Sequence, residues 1–166
     1  TRSRIVTGVQ TCALPIYAGV QDSGRDIDVN LRGTIYCTEK YGIQPNIKAI
    51  IMTASVSAHN GAEFPEYCAS KGGVLAYTKN VALRVAKYGA TCNSISAGGV
   101  ITELNAHILE NKSLWDQVMA ETLIPKWATV EEMAEWTYFL AVVNKSMTAQ
   151  DVLIDNGEIA KANFVW

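Results

Sequence analysis

A phenol and an amine open the chemical reading of this chain: Tyr67 and Lys71, in "YCASK". At i and i+4 on a helix, two side chains lie one above the other on the same face. A phenol is protonated at neutral pH and is a poor base. An ammonium ~4 Å away, at an effective dielectric near 20, favours the phenolate by about 4 kcal/mol, and the positive end of a helix pushes the same way. A tyrosine so placed can exchange a proton near neutrality. The spacing alone is a weak signal, because it recurs in "YCTEK", Tyr36 to Lys40. Context separates the two. Ser55 stands 12 residues before Tyr67, at the end of an apolar run, where its hydroxyl could share a ligand with the phenol; Ser57 is the rival for that role. The serine preceding Tyr36, Ser23, follows no strand-like segment, so Tyr36 and Lys40 are expected to be a surface pair.

The elements that must position these groups follow from hydrophobic period. Residues 22–41 suit a helix, with Ile27, Leu31, Ile35 and Thr38 spaced for one face. "KAIIMTAS" is a continuous apolar run of strand length, as expected of a strand buried on both faces. Residues 63–89 form a long helix closed by Gly89, with Tyr67, Lys71, Val74, Thr78, Val81 and Val85 on one stripe. The Gly72-Gly73 pair inside it costs about 1 kcal/mol of helix propensity per residue, which requires a close approach there. "ATCNSISAGG" is a second strand and turn, and residues 101–127 are a helical excursion. Thr129 and Glu132 make a capping box that opens another helix, and "QDVLIDNG" is a last strand stopped at Asn156-Gly157. The alternation predicts an α/β fold with a parallel sheet flanked by helices. Ligands in such sheets bind beyond the carboxyl ends of the strands, here Thr53 to Ala58 and Ala97 to Thr102.

Composition narrows the partners. Lys and Arg total 14 against 16 for Asp and Glu, without runs of one sign, so neither nucleic acid nor a charged membrane is expected as a partner. No apolar run approaches the roughly 18 residues of a membrane span. Cys12, Cys37, Cys68 and Cys92 are far apart with no C-x-x-C pair, which suggests neither zinc nor a disulfide framework and fits a reducing cytoplasm. His59 and His107 have no partner ligands spaced beside them, and no metal is expected.

From about Asp26 to Gly157 the chain resembles the C-terminal part of a short-chain dehydrogenase/reductase. The Y-x-x-x-K of that family stands as Tyr67 and Lys71, its preceding serine as Ser55, and its N-L-x-G as "VNLRGT" with Asn30. Its N-x-[IV]-x-P-G-x-[IV]-x-T stands as "NSISAGGVIT", with Gly98, Val100 and Thr102 matching and Ala97 where proline is usual. The resemblance implies a doubly wound, Rossmann-type sheet and hydride transfer between NAD or NADP and an alcohol or carbonyl carbon of a small molecule. Tyr67 would pass the hydroxyl proton and Ser55 would hold the substrate oxygen. Lys71 would bond the nicotinamide ribose, and Asn30 would hold a water linking Lys71 to solvent. Gly98, Val100 and Thr102 would orient the nicotinamide. The excursion from Leu104 to Lys126 would be a substrate lid, with Trp115, Met119, Leu123 and the adjoining Trp127 either lining a pocket or packing on the body. The resemblance also implies a homodimer or homotetramer in the full-length parent, built on the helices at 22–41 and 67–88. A non-catalytic binding or oligomerisation module of the same fold is the competing reading.

The opening residues depart from the family. "TGVQTCALP" lacks the second and third glycines of the phosphate turn T-G-x-x-x-G-x-G and puts a proline where a helix should start. "VTGVQTCALPI" instead resembles the conceptual translation of a sequencing-library adapter. Residues 1–16 are therefore expected to be a non-native leader, and 17–166 the catalytic half of a truncated domain whose N-terminal strands are missing. Such a polypeptide is expected to bind cofactor weakly and to lack turnover, and the choice between NAD and NADP is unreadable.

Overall fold

The computed structural model describes residues 24–62 and 64–161. The expected leader at 1–16 lies outside them. Three strands form one parallel sheet in the order β1-β2-β3: β1 is Ala49–Thr53, β2 Thr91–Ala97 and β3 Asp151–Ile154. Ile50 pairs with Cys92 and Ile95 with Val152. β1 and β3 fall on apolar runs of strand length that end in small or polar residues.

Helix α1 spans residues 27–42; its central Gly33–Cys37 is α-helical, and Ile27–Arg32 and Thr38–Gly42 are wound as wider π turns. A short helix α2, Ser57–Asn60, follows β1. The long helix α3, Pro65–Val85, has proline in its first turn, where the missing N–H costs nothing, and Glu66 beside it at the positive end of the helix. It tightens through Ala86–Tyr88 and stops at Gly89, whose φ of 66° is the left-handed conformation glycine adopts without strain.

The stripe expected on α3 is the buried one. Tyr67, Lys71, Val74, Thr78, Val81 and Val85 all face inward, and Val74, Val81 and Val85 pack with Ile50, Met52 and Cys92 as the main core. The glycine pair is split in its purpose. A Cβ on Gly73 would lie 2.6 Å from a methyl of Leu31, so that glycine lets α1 close onto α3, whereas a Cβ on Gly72 would meet nothing within 4 Å.

Beyond β2 the chain runs through α4, Ala106–Leu109, and α5, Lys112–Met119, before α6, Val130–Tyr138, opens on the expected capping box. The Thr129 side chain accepts from the Glu132 N–H at 3.2 Å, and Glu132 accepts from the Thr129 N–H at 2.9 Å. A π-type continuation, Phe139–Val143, carries the fully buried Leu140 and lies against β1.

β2 is the least obvious strand in composition: Asn93, Ser94 and Ser96 are all essentially inaccessible. Asn93 donates to the Met147 carbonyl at 2.9 Å and accepts from the Gln150 N–H at 3.1 Å, thereby guiding the chain into β3. These bonds satisfy a buried amide that would otherwise be costly.

Candidate active site

The β1–β2 ladder does not stop at Thr53. The Ala54 N–H donates to Ile95 O at 2.8 Å and the Val56 N–H to Ala97 O at 3.1 Å, so Ser55 rides on backbone held in register. Its hydroxyl is buried and donates to Ser57 Oγ at 3.1 Å, while the Ser57 N–H returns a bond to Ser55 Oγ at 3.2 Å. The two serines that sequence left as rivals are thus one hydrogen-bonded pair.

Tyr67 enters from the first turn of α3 and is 4% exposed. Lys71, one turn on and equally buried, donates to Thr53 O at 3.1 Å and sets its amine 5.6 Å from the centre of the Tyr67 ring. Asn30, buried on α1, donates from Nδ2 to Ser70 Oγ at 3.2 Å, and Ser70 donates to Tyr67 O at 2.7 Å. Asn30 is thereby fastened to the turn of α3 that carries both Tyr67 and Lys71. Ser70 had no signal in the sequence; its partner Asn30 is 40 residues away.

The second pair behaves differently at the same spacing. Tyr36 is 60% exposed and accepts a bond from Lys40 Nζ at 3.1 Å. That bond holds the Lys40 amine above its usual value. At Lys71 burial dominates and pushes the amine down to about 8, opposed by the nearby charge of Asp26. Asp26 itself is buried, with Oδ1 lacking any hydrogen-bond partner among the described residues; burial first, then Glu66, raises its carboxyl, and Lys71 opposes them. Sequence periodicity did not single out Asp26, since an aspartate in a first helical turn usually faces water.

Four polar side chains form a further cluster. His59 Nε2 lies 3.2 Å from Ser96 Oγ and 2.9 Å from Asp151 Oδ2, and Ser94 Oγ donates to Asp151 Oδ1 at 2.5 Å. One ring nitrogen faces both serine and carboxylate. The through-ring arrangement of a nucleophilic triad is therefore not made, and the cluster ties α2 to β2 and β3.

The segment after β2 leaves the sheet under tight control. The Gly98 N–H is spent on Ile154 O at 3.0 Å, and a Cβ there would crowd Asp155 at about 3 Å. Gly99 lies under Trp127: a Cβ would fall 2.0 Å from the indole nitrogen. Val100 bridges Ala128, with the Ile101 N–H donating to Ala128 O and the Ala128 N–H to Gly99 O. Asn105 Nδ2 donates to Val100 O at 2.8 Å.

Of the apolar residues expected to line a pocket or to pack, Met119 and Trp127 are buried, Trp115 meets Trp127 edge-on at 5.4 Å, and Leu123 covers Gly157. Trp115, Met119 and Trp127 pack on the body, whereas Leu123, lying against Gly157, remains exposed. Among the described residues, an open cleft of about 700 Å³ is lined by Ile101, Thr102, Leu104, Ala106, Leu109 and Val130.

A family model described as enoyl-(acyl carrier protein) reductase matches residues 18–158. The chain belongs to the short-chain dehydrogenase/reductase family. Its three described parallel strands with their flanking helices match the C-terminal part of the doubly wound, Rossmann-type sheet of short-chain dehydrogenases/reductases. An oxidoreductase, YxbG of Bacillus subtilis (strain 168), is 35% identical over 150 residues, covering 82% of this chain and 54% of that protein. A 4-hydroxyisoleucine dehydrogenase mutant solved with NADH and succinate superimposes with a TM-score of 0.74 at 26% identity, covering 82% of this chain and 59% of that one. A gluconate 5-dehydrogenase of Burkholderia cenocepacia J2315, solved with NADP and tartrate, gives 0.74 at 26% identity, with 82% and 55% covered. The chain spans about half the length of the curated relatives it matches.

Proposed function

We propose that this chain carries the acid-base centre of an NAD(P)-dependent oxidoreductase, which moves a hydride between a nicotinamide ring and the carbon of a small alcohol or ketone. One observation carries the reading. Of two Y-x-x-x-K pairs, the one at Tyr67 and Lys71 is sealed between α1, α3 and the end of β1, two residues from Ser55, while the other stands in solvent. Burial is what turns a surface ion-dipole pair into an acid-base device.

The donor set fits a nicotinamide cofactor. Lys71 has three N–H donors, and among the described residues one is spent, on Thr53 O. The remaining two suit the vicinal hydroxyls of a ribose. Thr102 Oγ1 borders the open cleft beside Val100, and its hydroxyl suits a carboxamide. Backbone groups from Gly98 to Val100 would orient the nicotinamide beside it; the Gly98 N–H is already spent on Ile154 O, and its lack of a side chain admits the turn after β3.

When bound, NAD or NADP supplies or accepts the hydride. In the reducing direction the Tyr67 hydroxyl gives its proton to the substrate oxygen, and the Lys71 ammonium stabilises the phenolate left behind. Ser55 Oγ–H holds the same oxygen as charge develops on it, a role its rigid ladder position supports. Asn30 and Ser70 fix the α3 turn against α1, so that phenol and amine stay aligned. Self-association through the outer faces of α1 and α3, where Tyr36 and Leu83 stand exposed, belongs to the same proposal.

The test is a matched pair of substitutions in the full-length protein. Tyr67→Phe lowers kcat by about 10²- to 10⁴-fold, the usual worth of a positioned general acid, with cofactor affinity little changed. Tyr36→Phe leaves kcat within about twofold. Turnover retained by Tyr67→Phe overturns the assignment.

A further inference from the structure

We propose that Asp26 is a positioning residue for Lys71: its buried carboxylate, at the first turn of α1 beside α3, holds the Lys71 amine charged. This rests on the reading of Lys71 given above. Asp26 is 5% exposed, and among the described residues its Oδ1 has no hydrogen-bond partner. A buried carboxylate oxygen without a partner is destabilising, and an apolar side chain there would pack without that cost. Charge is therefore the property that needs a reason. Asp26 precedes Asn30 by one helical turn and shares its inward face. The entry to α1 is clamped to α3 by the Gly24 N–H, which donates to Glu66 Oε2 at 2.7 Å.

Among the described residues, the charged groups near Asp26 lie on α3 and on its own helix, where Arg25 is its chain neighbour. From α3 come Glu66 and Lys71, of which Glu66 has the same sign and is occupied by Gly24. On its own helix Asp28 is turned outward and paired with Arg32 at 2.8 Å. Lys71 is thus the cation that Asp26 faces from α3. The coupling runs both ways: Asp26 opposes the loss of charge that burial imposes on Lys71, and Lys71 favours the ionised Asp26. Loss of the ammonium would remove the charge that makes the Tyr67 phenolate accessible.

The experiment follows the Lys71 side-chain nitrogen by NMR in protein labelled with ¹⁵N-lysine, across pH 6 to 11, without substrate or cofactor. Wild-type Lys71 titrates near 8. In Asp26→Asn the midpoint falls, and the neutral fraction at pH 7 rises about threefold or more. Asp26→Glu, which keeps the charge, holds the midpoint near the wild-type value. A midpoint unchanged or raised in Asp26→Asn overturns the proposal; should that variant fail to fold, Asp26→Ser gives the same reading. A purely structural aspartate would change stability without moving the titration of Lys71. Because turnover is not the readout, an inactive Tyr67 would sink the proposed function and leave this result standing.

Discussion

Lys71→Met isolates what the buried amine costs the fold. Burial lowers the amine from 10.5 to about 8. At 1.36 kcal/mol per unit, this is a penalty of about 3 kcal/mol for carrying the proton inside. The unfolded chain holds that proton more tightly than the folded one. The penalty is therefore complete below about pH 8 and fades as pH rises toward 10.5, so the site's contribution to stability improves over that window. Methionine has nearly the same shape and no charge. It forfeits the bond to Thr53 O, worth about 1.5–3 kcal/mol as a charged hydrogen bond, and leaves Asp26 without its counter-charge. Thr53 lies at an exposed strand end where water can replace the donor, which keeps that loss at the low end. We expect Lys71→Met to be about 1 kcal/mol more stable than wild type at pH 7 and no more stable at pH 10, read from urea midpoints at unchanged m-value. A variant less stable by the same amount at both pH values would refute the reasoning, because it would show that folding does not depress the pKa of the Lys71 amine.

Two further substitutions test how the helices and the excursion are fitted together. Gly72→Ala raises stability by about 1 kcal/mol, since its Cβ meets open space, whereas Gly73→Ala is neutral or destabilising by up to about 2 kcal/mol because Leu31 must move; the difference between their thermal midpoints reads the α1–α3 contact. Gly99→Ala drives a methyl into the Trp127 ring, and it should cost more than about 3 kcal/mol and red-shift tryptophan fluorescence as the buried indole is displaced toward water.

Much of this arrangement was legible in sequence because it is periodic. The α3 stripe from Tyr67 to Val85, the three strands, the stop at Gly89 and the Thr129 capping box each depend on residues a few positions apart, and their side chains land where spacing puts them. The Tyr36 pair was separable from the Tyr67 pair for the same reason, as only the second follows a strand. What escaped is polar and long-range. Ser70 answers Asn30 across 40 residues, Asn93 reaches Met147 across 54, and His59 reaches Asp151 across 92. Nothing local distinguishes such side chains from solvated ones. Asp26 is the sharpest case: its burial is created by another helix, and its missing partner is visible only in three dimensions. The excursion illustrates a different gap. Its tryptophans read equally as pocket or packing, and the decision fell to Gly99, whose lack of a side chain admits Trp127 onto the body.

Both ends of that excursion are stitched down, by the Val100–Ala128 bridge at its base and by the Leu123 and Ile124 N–H groups on Asn156 O near its return. The segment in between is thus held at both ends while the strand ends below keep their register. On the proposed function, the fit to substrate would then be set by this segment, apart from the proton-handling groups on α3 and at the end of β1.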